Sequence, residues 1–146
     1  MFDLLVKGGT LSDGSVADIG ITGDRIAAVG KLDAGAARVI DATGDLVSPP
    51  FVDPHFHMDA TLSYGLPRVN ASGTLLEGIS LWGELRDLAT VDEMIDRAVT
   101  YCDWAVSMGL LAIRTHVDTT PDHLRGVEAM LEVKARVRSL LKAKAY

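Results

Sequence analysis

His55 and His57 stand two residues apart in the segment Pro49-Pro50-Phe51-Val52-Asp53-Pro54-His55-Phe56-His57-Met58-Asp59. An extended chain alternates its side chains, so a strand here turns both imidazoles to one face and Phe56 to the other. Two neutral imidazoles aimed at one point can each offer a ring nitrogen to a transition metal. The competing view is a polar strand face that carries two histidines by chance. The surroundings weigh against it: a β-rich segment precedes the pair, prolines introduce it, and Asp59 follows. Asp59 itself reads equally well as part of the site or as a turn carboxylate.

Arg114, His116 and Asp118 repeat the spacing of two further along the chain. On one strand face they could form a second metal pair or a hydrogen-bonded polar network. Other reactive types are less telling. Cys102, the only cysteine, sits among helical residues and reads as a small core filler rather than a nucleophile. His123 has no partner at a telling spacing and reads as a surface residue early in a helix. Trp82 and Trp104 lie on amphipathic stretches, where an aromatic is usually core.

The elements that must hold these groups differ on either side of residue 46. Before it, the apolar runs Phe2 to Val6, Ala17 to Thr22, Arg25 to Val29 and Arg38 to Ile40 alternate with the turn pairs Asp13-Gly14, Gly23-Asp24 and Gly44-Asp45. Short strands with Gly/Asp turns predict a small β-rich unit built of hairpins. After it, Leu46 to His57 reads as a strand and residues 75–88 as a helix. Thr90 and Glu93 form a capping box ahead of a second helix that Gly109 stops. Leu110 to Val117 then reads as an apolar strand. Thr120-Pro121-Asp122 opens a last helix, with Leu124, Val127, Leu131, Val137 and Leu141 on one face and continuing through Tyr146. Alternating strand and helix predicts a parallel sheet covered by helices.

The net charge of -6 argues against a nucleic-acid binder, which needs a basic face for phosphate. The start of the chain lacks the pattern of a signal peptide, and no apolar run reaches the roughly 18 residues of a membrane span. A single cysteine excludes an internal disulfide and fits a reducing, cytoplasmic setting. At 146 residues the chain is too short for an eight-fold α/β barrel, which takes roughly 200 or more.

The segment ending in His55-Phe56-His57-Met58-Asp59 resembles the first barrel strand of the metal-dependent amidohydrolase superfamily, which follows a Gly- and Asp-rich β-sandwich segment. Further likeness is to the cytosine deaminase group. It is carried by Ser72-Gly73-Thr74-Leu75-Leu76-Glu77-Gly78-Ile79 with Trp82, by Arg114-Thr115-His116-Val117-Asp118, and by Met130-Leu131-Glu132-Val133-Lys134. Of these, Arg-Thr-His-Val-Asp is much more specific than His-x-His.

The resemblance implies an α/β fold: the N-terminal part of a (β/α)8 TIM barrel, with a partial β-sandwich over residues 1–46 and the first barrel strands and helices over 47–146. It implies one divalent metal ion, zinc or ferrous iron, with His55 and His57 as ligands and Leu75 presenting an apolar edge to substrate. Asp59, Arg114, His116 and Asp118 become groups that orient ligands or water from behind. The remaining ligands and the proton-relay glutamate belong to later strands in the family, so an N-terminal fragment with an incomplete barrel is expected. Where another strand is expected after Val137, the sequence gives Leu140-Leu141-Lys142-Ala143-Lys144. The implied activity is hydrolytic deamination of cytosine or a related small amino-heterocycle, releasing ammonia, without nucleic acid or membrane as partner. A triazine-type N-alkylamino hydrolase and a non-catalytic remnant or interaction module are the alternatives. Homo-oligomeric assembly of the parent enzyme stays open.

Overall fold

The computed structural model describes residues 1–144, and side chains through residue 138. It divides into two compact units, Met1–Pro49 and Pro50–Tyr146.

The first unit is one four-stranded sheet of order β3-β2-β1-β4, from β1 (Phe2–Thr10), β2 (Val16–Thr22), β3 (Arg25–Gly30) and β4 (Ala36–Asp41). Gly23 has φ 58° in the turn between β2 and β3, and the Asp3 carboxylate accepts its N–H at 2.6 Å. That backbone favours glycine and explains the abrupt reversal. The ring of Phe2 lies over Gly20, where an added Cβ would meet it at 2.6 Å. β1–β2 and β2–β3 are the expected antiparallel hairpins, but β4 pairs parallel with β1. Hairpin logic fails there because β4 crosses over to the free edge of β1, which local turn residues do not encode.

In the second unit β5 (Phe51–Phe56) and β6 (Leu110–Thr115) pair in parallel. A 3₁₀ turn (Met58–Ala60) and α1 (Leu75–Leu88), α2 (Val91–Ser107) and α3 (Arg125–Lys144) complete it. Thr74 caps α1 by accepting the Glu77 N–H at 3.3 Å. At the start of α2 the Thr90 side chain accepts from the Glu93 backbone while Glu93 reaches back to the Thr90 N–H, a reciprocal capping box. The crossover from β5 through the helices to β6 ends at Gly109, φ 80°, which stops α2 and lets β6 begin at once. Met58, Leu85, Met94, Ile95, Ala98 and Met130 are the heart of the core. Among the described residues no helix is long and apolar enough to cross a membrane.

Several expectations are corrected. β5 begins at Phe51 and Leu46 forms only an isolated bridge with Thr10. β6 ends at Thr115 rather than Val117, and α3 begins at Arg125 rather than beside Pro121. The Thr120 N–H and hydroxyl are spent on the Asp118 carboxylate at 2.9 and 2.7 Å, so they do not start a helix. The inward face of α3 is Ala129, Met130 and Val133, while Leu124 and Leu131 are 59% and 63% exposed. Small Ala129 and flexible Met130 allow α3 to approach the core, turning Leu131 outward, while Leu124 precedes the helix. Leu141, Ala145 and Tyr146 lie outside the described side chains or residues. Trp104 is 59% exposed, not core, because it lies roughly 100° round α2 from the face bearing Met94, Ala98 and Ala105.

Candidate functional site

The parallel pairing brings the C-terminal ends of β5 and β6 side by side. The His116 N–H donates to the Phe56 carbonyl at 2.7 Å, and the Met58 N–H donates to Thr115 Oγ1 at 3.1 Å. These two bonds lace the strand ends together and gather three imidazoles. The ring centroids of His55 and His57 are 5.7 Å apart; His116 lies 4.0 Å from His55 and 5.7 Å from His57.

His57 follows the last residue of β5, yet its ring stays near that of His55. Its Nδ1 is 3.7 Å from Asp59 Oδ1, beyond hydrogen-bond length. Asp59 is 1% exposed. It is held by the Ala60 N–H at 3.1 Å and, across to the other strand end, by the Asp118 N–H at 2.9 Å. Gly126, in the first turn of α3, keeps that pocket open: a Cβ there would stand 3.1 Å from Val117 Cγ1 and 3.9 Å from Asp59 Oδ2.

Burial, then the neighbouring His55 and His57 rings and the Arg114 charge, push His116 below the ordinary imidazole range, against an opposing pull from Asp59. A neutral ring keeps a lone pair for accepting a proton or hydrogen bond. Arg114 itself is exposed.

His116 and Asp118 lie beyond β6 and diverge, which corrects the expectation of one shared strand face. Asp118 turns to α1. Its Oδ2 accepts the Trp82 Nε1–H at 3.1 Å and a hydrogen bond from Arg86 Nη1, while Oδ1 accepts both Thr120 groups. Burial alone would raise the Asp118 carboxyl; the Thr120 bonds and the Arg86 guanidinium outweigh it and bring it down to about 2. Arg86 escaped the sequence reading, although its place four residues after Trp82 put both on one face of a helix.

Leu75 opens α1 and is 79% exposed. A cavity of about 240 Å³ lies elsewhere on that helix, lined by Leu81, Trp82 and Leu85 against Ala60, Ser63 and Leu66. His123 precedes α3 and is not a bare surface residue: its Nε2 is 2.8 Å from Arg125 Nη2 and 3.6 Å from Asp87 Oδ1. Cys102 packs against the core, and burial pushes its thiol up, away from a reactive thiolate.

The donor chemistry of His55 and His57 suits a borderline divalent ion. The pair is short of the three protein ligands usual for catalytic zinc. Among the described residues no three His, Cys, Asp or Glu side chains are grouped to hold a metal.

A profile described as the Amidohydrolase family matches residues 38–142. N-isopropylammelide isopropyl amidohydrolase of Pseudomonas sp. (strain ADP) is 36% identical over 96% of this chain and 36% of its own length. The structure of 5-methylcytosine deaminase from Klebsiella pneumoniae with 5-fluorocytosine shares 34% identity, with a TM-score of 0.83 over 93% of this chain and 34% of that one. N-isopropylammelide isopropylaminohydrolase from Burkholderia multivorans shares 28% identity, with a TM-score of 0.71 over 94% and 35%. The chain thus spans about a third of the length of these relatives. With the paired histidines at the end of a parallel strand, these matches show that the chain belongs to the amidohydrolase family, in its cytosine deaminase-like group.

Proposed function

We propose that this chain is the N-terminal portion of a divalent-metal-dependent amidohydrolase that hydrolytically deaminates cytosine or a related amino-heterocycle, releasing ammonia. The observation that carries this reading is the His55–His57 pair beside His116 at the ends of two parallel strands. In this reading Met1–Pro49 is part of a β-sandwich, and β5 and β6 are the first two strands of a barrel that this chain leaves incomplete. The setting is cytoplasmic.

His55 and His57 would hold the metal, zinc or ferrous iron. When bound, such an ion lowers the pKa of its water from 15.7 to about 7 and so supplies hydroxide at neutral pH. Asp59 faces the His57 ring at 3.7 Å, and its own carboxylate is fixed by two backbone N–H groups. His116 stays neutral beside the pair and can accept a proton or orient water. Arg114 and Asp118 act from behind, and Leu75 presents an apolar edge to the flat heterocycle.

A second reading, removal of an N-alkylamine from a triazine-type ring, draws on the 36% identity to the Pseudomonas amidohydrolase. A third, a non-catalytic remnant, draws on the two-donor set of the chain taken alone. One experiment separates them. The purified chain is analysed for metal, then combined with a chain supplying the rest of a relative's length and assayed for ammonia from cytosine and isopropylamine from N-isopropylammelide. Ammonia release lost in His57→Ala supports the deaminase; amine release supports the second reading. Neither product, with no bound metal, supports the third.

A further inference from the structure

We propose that Trp82 and Arg86 are positioning residues that set His57 from helix α1 through Asp118 and Asp59. The proposal rests on the reading of His57 as a metal ligand, but its geometry stands without one.

Both oxygens of the Asp118 carboxylate are engaged. Oδ2 takes the Trp82 indole N–H at 3.1 Å and the Arg86 guanidinium. Oδ1 takes the Thr120 N–H and hydroxyl. Arg86 Nη1 also donates to Thr120 Oγ1 at 2.6 Å, which closes a ring of contacts around the carboxylate. Through the Thr120 N–H the carboxylate is also tied to the backbone that follows it, so the cluster on α1 bears on the local backbone of Asp118. That N–H donates to Asp59 Oδ2 at 2.9 Å, and the other oxygen of Asp59 faces His57 Nδ1 at 3.7 Å. Asp59 is 1% exposed, so its carboxylate is shielded from bulk water. A half-buried cluster on α1 thereby reaches an imidazole that neither Trp82 nor Arg86 touches. Trp82 also lines the cavity between α1 and the 60–66 segment, so an occupant there would bear on the same line.

The test uses the 146-residue chain and reads the imidazole nitrogens of His57 and His116 by NMR, together with zinc affinity by competition. Trp82→Phe keeps the ring and removes the N–H; Arg86→Met keeps the stem and removes the charge. Each should shift the His57 resonances and weaken zinc by about fivefold, the scale of a coupling passed through intermediate groups. In Asp59→Asn the line is already cut, so adding Trp82→Phe should change neither readout further. A merely structural tie would lower the melting temperature and leave that cycle additive. Should both α1 variants fail to fold, the reciprocal measurement decides: His57→Ala, at a half-exposed position, should move the Trp82 indole N–H resonance. Unmoved imidazole resonances in folded variants, additive effects in the cycle, or an indole blind to His57→Ala would overturn the proposal. Wild-type chain that binds no zinc, yet shows the coupled shifts, would overturn the metal reading alone.

Discussion

The His116 N–H donates to the Phe56 carbonyl at 2.7 Å, so the residue after β6 is pinned to the last residue of β5, which stands between His55 and His57. This one bond accounts for the close approach of the His116 and His55 rings. It also separates roles: His116 reaches the pair because its backbone completes a parallel ladder, not because its side chain completes a ligand set.

The isolated chain should therefore bind zinc weakly through His55 and His57. Metal should be lost on dialysis against a mild chelator, and His57→Ala should abolish uptake. His116→Phe should weaken uptake by about tenfold, the low end for a group behind the ligands. An equal loss in both variants, measured by competition titration, would make His116 a ligand.

Asp118 should carry a visible share of acid stability. Its carboxyl sits at about 2 when folded, against the ordinary 3.8, so its folded value is depressed. Such a contribution is fully present above about pH 4 and is lost as pH falls through about 2. With the side chain 18% exposed, the shift corresponds to about 2 kcal/mol. Arg86 faces this carboxylate directly and Asp59 meets it through the backbone, so the ring charge of His116 is a minor influence. Asp118→Asn should lose that stability at pH 7 and show a shallower decline between pH 4 and pH 2 in denaturant titrations. Parallel acid limbs for the two proteins would contradict this.

Two substitutions should separate local from core contributions in the second unit. Thr90→Ala removes the capping box of α2 and should cost about 1 kcal/mol. Met94→Ala, at a position 1% exposed, leaves a cavity and should cost about 2–5 kcal/mol. Urea midpoints in the opposite order would mean that α2 is held by its end rather than its face.

Among the described residues strands β5 and β6 each have a single partner in their sheet, and Phe51, Val52 and Leu111 are 66%, 65% and 52% exposed. Parallel strands normally bury both faces, and open edges recruit other chains. The chain should bind a hydrophobic dye and elute as self-associated species in size-exclusion chromatography, and Val52→Lys with Leu111→Lys should reduce both. A sharp monomer peak without dye binding would show that this surface is harmless as it stands.

Features governed by neighbours along the chain are legible in the sequence by itself. Thr90 and Glu93 announce the start of α2 and Gly109 its end, because caps and turn dihedrals are set within a few residues. Only the tertiary structure decides that β4 runs parallel to β1, that Trp104 faces outward, and that Ala129 and Met130 rather than Leu124 and Leu131 meet the core. Each depends on which distant surface an element finds, and apolar content is nearly silent on that choice. The site divides the same way. The histidine pair lies within three residues of sequence, whereas His116 joins it through a bond between strands, and Asp118 leaves it for Trp82 and Arg86 because a half-buried carboxylate goes where hydrogen-bond donors and positive charge await it.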